Sequence, residues 1–164
     1  MNNADVAFLP EHDHSRCVTQ ALKEAAELCR GREQRLTPVR ELVLKLIWQS
    51  HKPLGAYEIL PALAEAGFNS APPTVYRALD FLQEQGLVHR ISSLNAFIGC
   101  SHPEHQCNNN FLICTRCHSA VELESKAVSK AINTAANAVG FSVQTEALEV
   151  TGICPNCQQE DNNL

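Results

Sequence analysis

Two C-x-x-C pairs, Cys114-Thr-Arg-Cys117 and Cys154-Pro-Asn-Cys157, restrict this chain more than any other feature in it. Each pair can turn two thiolates onto one ion, and two pairs supply the four sulfurs of a closed, tetrahedral structural zinc site. The 36 residues between the pairs must then fold so that their two ends meet. A thioredoxin-like redox motif is the rival reading of one pair, but that motif belongs beside a βαβ pattern. Here His118-Ser-Ala-Val-Glu-Leu123 reads as a turn and a strand. The setting also favours metal over disulfides. The N-terminus lacks the basic start and long apolar run of a secretory signal, and no stretch approaches the roughly 20 apolar residues of a spanning helix. The expectation is a cytoplasmic protein without membrane contact, in which eight cysteines stay reduced.

A length of 164 residues suits one or two small domains, and charge and cysteine divide the chain unevenly. Residues 1–93 hold 10 basic against 11 acidic side chains, residues 94–164 hold 3 against 7, and six of the eight cysteines lie from Cys100 onward. An α+β protein is expected, with a helical domain over 1–92 (1–16 flexible), a hinge and wing end over 93–107, a small metal-bearing α/β domain over 108–158, and a tail over 159–164. Apolar spacing predicts four helices in the first part. One carries Val18, Ala21, Leu22, Ala25 and Cys29 and ends near Gly31; the next starts at Thr37-Pro38. The third covers Ala56 to Ala66, with Pro61 predicting a kink or a late start, and the fourth follows Pro72-Pro73 and stops at Gly86. A short hairpin of Leu87–Ile91 and Ala96–Cys100 completes a winged helix-turn-helix. Beyond it lie strands at Phe111–Cys114 and Ala120–Leu123, a helix over Ser125–Val139 and a strand over Ser142–Val150.

Two further groups carry chemistry. His89, Cys100, His102, His105, Cys107 and Glu122 fall on the wing, the connection and the metal domain, so they can converge where the two domains meet. Thiolate with imidazole favours Zn²⁺ over iron(II), and a site built from two domains is a hinge. His102-Pro-Glu104 has half of a zinc-deaminase signature, but neither knuckle begins Pro-Cys. The fourth helix offers Thr74, Tyr76 and Arg77 at its start, residue types that suit phosphate and base-edge contacts. The acidic total of −5 does not forbid DNA, because residues 30–52 carry six basic against two acidic side chains. The sequence does not decide whether Tyr57 touches DNA or packs. Glu11-His12-Asp13-His14 with Cys17 reads more simply as a polar end segment than as a metal site.

Arg35-Leu-Thr-Pro-Val-Arg40, Ala56-Tyr-Glu-Ile-Leu60, Pro72-Pro-Thr-Val-Tyr-Arg-Ala-Leu79 and the two knuckles, in this order, resemble the ferric uptake regulator family over about residues 17–158. Val88-His89, a cysteine at the wing end and a glutamate after the first knuckle are most similar to its zinc-responsive branch. The resemblance implies a homodimeric repressor of zinc acquisition genes that binds double-stranded DNA at a palindromic operator. It implies one structural zinc per subunit on Cys114, Cys117, Cys154 and Cys157. It also implies one regulatory zinc on His89, Cys100 and Glu122, with a further ligand from the loop holding His105 and Cys107. Arg35, Thr37, Arg40, Tyr57, Thr74, Tyr76 and Arg77 are the expected DNA contacts. Iron-type members carry a His-rich run where this chain has Asn108-Asn-Asn-Phe111, so no third, iron-type site is expected. The alternatives are an iron- or peroxide-responsive regulator of the same family and, more remotely, a zinc enzyme.

Overall fold

The computed structural model describes Phe8 and residues 13–104 and 109–162; the readings made of Glu11, His12, His105 and Cys107 lie outside these residues. Helix α1 (His14–Gly31) begins inside the segment expected to be flexible, because Asp13 caps it: its carboxylate accepts from the Ser15 N–H at 2.9 Å. Helix α2 (Pro38–Trp48) has Thr37 as its cap and proline at its first position, where a missing N–H costs nothing. Helix α3 (Ala56–Glu65) runs through Pro61 and does not start late. The Glu58 carboxylate accepts from the Gly55 N–H at 2.7 Å and fixes the start. The carbonyl that Pro61 leaves unbonded belongs to Tyr57, a residue open to water. Helix α4 (Pro72–Glu84) closes on Gly86 at φ 72°, with Gly86 N–H bonded to the Gln83 carbonyl and Leu87 N–H to that of Leu82. That pair of bonds reverses the chain into the wing.

Strands β1 (Leu54–Gly55), β2 (Val88–Ile91) and β3 (Ala96–Gly99) form an antiparallel sheet in the order β1-β3-β2. With α3 and α4 they make a winged helix-turn-helix. Its core is contributed by all four helices, with Ala25, Val43, Ile47, Ile59, Leu63, Val75, Leu79 and Leu82 essentially inaccessible. Each such aliphatic larger than alanine stabilises by about 1.5–3 kcal/mol relative to exposure. Cys29 belongs to this core, and burial raises the pKa of its thiol. At the end of β3 the Trp48 ring lies so close against Gly99 that a Cβ there would clash with the ring atoms Cε2 and Nε1. Gly99→Ala is therefore expected to cost about 1–3 kcal/mol by overpacking, read as a lowered urea midpoint.

The second half is built on β4 (Asn109–Cys114), flanked by antiparallel β5 (Ala120–Glu122) and parallel β6 (Ala147–Gly152), with α5 (Lys126–Ala138) as the crossover and α6 (Pro155–Asn162) last. The final strand thus starts later than the expected Ser142, because pairing with β4 begins only at Asn109↔Ala147. Most of the expected tail is helical: α6 covers part of 159–164, and its polar sequence has no apolar face to betray it. Parallel pairing carries Cys114 opposite Gly152, so both knuckles leave the sheet at the same end. The halves meet through a small core in which Ile91, Leu94 and Ile98 pack against Phe111, Ile113 and Ala120. Among the described residues, no helix is long and apolar enough to cross a membrane.

Candidate metal centres and nucleic-acid interface

The parallel ends of β4 and β6 bring four sulfurs together, all within 4.8 Å of one another. Cys114 and Cys157 Sγ are 3.9 Å apart, and Cys117 and Cys154 Sγ 3.7 Å. Four sulfurs at about 2.3 Å from one tetrahedral ion would stand about 3.8 Å apart, so the cluster fits Zn²⁺. Its electrostatics agree. Burial opposes ionisation of Cys114, but the backbone N–H groups of Cys117, Cys154 and Arg116 outweigh it and bring the thiol down to about 6. Burial and the three neighbouring sulfurs push Cys157 up to about 12, and burial raises Cys154 as well. The Cys114 thiolate forms readily, whereas Cys154 and Cys157 resist ionising without a cation among them. Phe8 packs against the cluster from the N-terminal side.

His89, Cys100 and Glu122 form a second group whose ligand atoms also lie within 4.8 Å of one another. His89 comes from β2, Cys100 follows β3 and Glu122 ends β5, so both halves contribute. The position of Cys100 is fixed by its N–H, bonded to the Leu87 carbonyl at 2.9 Å. The His89 ring sits 5.6 Å from that of Phe111, and its buried Nε2 has no hydrogen-bond partner among the described residues. Burial lowers the His89 pKa, against an opposing hydrogen bond with Asn109, and so favours the neutral imidazole that ligates metal. An orphaned imidazole nitrogen facing a thiol and a carboxylate fits Zn²⁺ better than it fits a packed core. His102 stands aside from this trio and pairs through Nδ1 with Glu124 at 3.0 Å.

On the remaining candidates the structure is uneven. Tyr57, Tyr76 and Arg77 project outward from α3 and α4, on the side opposite buried Val75, Leu79 and Leu82, while Thr74 is half-buried. Arg35 is exposed, but Arg40 is committed to the fold: its guanidinium lies 3.5 Å over the Phe81 ring and donates to the Arg35 carbonyl at 2.6 Å. Thr37 serves as the cap of α2. Arg32 likewise donates to the Gln85 carbonyl at 2.8 Å, so two guanidinium groups of the positive stretch already spend a donor within the fold while keeping their charge. What the sequence reading missed is a carboxylate on β6, Glu149, which reaches the wing turn. Nothing in its sequence context marks it.

The profile of the ferric uptake regulator family matches residues 32–151. The zinc uptake regulation protein of Escherichia coli (strain K12) is 38% identical over 141 residues, 84% of this chain and 81% of that protein. A structure of a zinc uptake regulator complexed with zinc and DNA superposes with a TM-score of 0.82 at 35% identity, over 88% of this chain and 97% of that one. The crystal structure of holo XcZur gives 0.75 at 48% identity over 84% of this chain and 96% of that one. Apo XcZur gives 0.51 at 46% identity over 86% and 97%. At nearly equal identity, this chain superposes better on the holo form than on the apo form.

Proposed function

The chain belongs to the ferric uptake regulator family, and from that premise we propose that it is a zinc-responsive transcriptional repressor that binds operator DNA and controls zinc uptake genes. The observation that carries this reading is the meeting of His89, Cys100 and Glu122 across the two halves. Zn²⁺, when bound, supplies the positive charge and four-coordinate geometry that let buried donors from separate elements act as one unit. Cys114, Cys117, Cys154 and Cys157 would hold a structural ion permanently. His89, Cys100 and Glu122, with His105 or Cys107 as the fourth donor, would hold a regulatory one. Each subunit then has one site of each kind, and the Cys100 thiolate argues for zinc over iron.

In the arrangement described here the wing is docked on the second sheet, which fixes where α4 points. Tyr76 and Arg77 on that helix are exposed, as are Tyr57 and Arg35, and would serve phosphates and base edges. We take the working form to be a cytoplasmic homodimer. Strand β6 is a sheet edge, and Phe141, Val150 and Ile153 are exposed apolar groups around it, the kind of surface a second copy covers. Two-fold symmetry would then place the two α4 helices on the half-sites of a palindrome.

The test is operator binding by fluorescence anisotropy, titrated with Zn²⁺ and, under anaerobic conditions, with Fe²⁺. Zinc is expected to raise affinity about 100-fold, equivalent to about 2.7 kcal/mol of coupling. Reciprocity requires operator DNA to tighten regulatory zinc by the same factor. Affinity that follows iron and ignores zinc would replace this reading with the iron-responsive one.

A further inference from the structure

Glu149 lies on β6, opposite Phe111 in the register with β4. Its carboxylate spans the boundary between the halves and accepts from two successive backbone N–H groups of the wing turn, Ser92 at 2.6 Å and Ser93 at 3.0 Å. The turn is shaped to present them. Asn95, at φ 47°, returns its N–H to the Ser92 carbonyl, and Arg90 donates to the Asn95 side chain at 2.9 Å. Beneath this contact Ile91, Leu94 and Ile98 cover Phe111 and Ile113. Neither His89, Cys100 nor Glu122 takes part in these bonds.

We propose that Glu149 is a metal-independent latch, a positioning residue that holds the wing turn on the second sheet and so sets how much of the protein is closed before regulatory zinc arrives. The inference rests on the reading that closure carries the zinc response. Hydrogen bonds to an ionised carboxylate are the strong class, and here both acceptor oxygens are used. The Ser93 side chain and the two N–H groups hold the Glu149 carboxyl below the usual range, so it is ionised at neutral pH. Those same N–H groups cannot serve a DNA phosphate while Glu149 holds them. The wing turn is therefore a part of the hinge, and reading of DNA falls to α4.

A latch has a signature that neither a DNA contact nor a purely structural residue shares. Glu149→Gln keeps the side-chain size but turns a donor toward a donor. It is expected to weaken regulatory zinc binding about tenfold, measured by chelator competition without DNA, and to weaken operator binding at low zinc to match. Operator affinity at saturating zinc, structural zinc content and thermal midpoint should stay near wild type, because the ion closes the hinge anyway. Glu149→Asp, which keeps the charge but reaches less far, should fall between. Wild-type zinc affinity in the Gln variant overturns the latch; so does a loss that persists undiminished at saturating zinc, which marks a DNA contact. Cys100→Ala in the same assay keeps the two questions apart. If that variant binds its zinc as wild type does, the sensor reading itself fails and takes the latch with it.

Discussion

Replacing Cys154 by Ser is expected to unfold the second half of the protein and abolish operator binding altogether. Cys154 is one of four sulfurs in a cluster whose donors come from the two ends of that half, and its own N–H donates to Cys114 Sγ at 3.4 Å. A structural zinc contributes about 10–16 kcal/mol of apparent free energy in small metal-folded domains, whereas a whole domain is stable by only about 5–15 kcal/mol. The sheet around this site is three strands, and α5 has no fully buried residue. It has little else to stand on. The winged-helix half has its own core and should survive. Metal analysis should show the structural ion gone, size exclusion a monomer, and circular dichroism helical signal retained from α1 to α4. Native melting with full metal content would remove the structural assignment.

Cys100→Ala should give the second largest effect, with a different character. The residue is buried beside the end of β3, and its backbone bond to Leu87 does not depend on the side chain. The fold should lose no more than about 1 kcal/mol, as for removal of a small buried group. The response to zinc should disappear, leaving operator affinity at its metal-free level, about 100-fold below the zinc-loaded wild type. Anisotropy titration together with metal analysis separates this from misfolding: structural zinc stays, regulation goes. A variant that still gains affinity with zinc would move the sensor elsewhere.

The helices and the wing were legible in the sequence because their signals are local. Three- and four-residue spacing, Thr37-Pro38 and Gly86 each act within one turn of chain. The two knuckles were legible as a pair because ligand chemistry overrides distance along the chain. What sequence could not supply was pairing. Strand β1 is two residues long, too short for any period. The start of β6 is set by where β4 begins, and α6 is a polar helix held at a metal knuckle. Side-chain commitments were equally hidden. In the sequence Arg40 is one basic residue among several, and only the fold shows that it lies over Phe81, 41 residues away. Glu149 is one acidic residue among many until the wing turn is folded against it.

The parallel pairing of β4 with β6 also orders events in time. A parallel neighbour cannot be reached by a tight turn, so β4 waits for the whole α5 crossover before its second partner exists. During synthesis the first knuckle emerges well before the second, and a chain made from its N-terminus completes its four-sulfur cluster only once Cys157 has been added. The winged-helix half, with a self-contained core, is finished long before the second half. A nascent or truncated chain would thus carry α4 on a finished core before Glu122 could join His89 and Cys100.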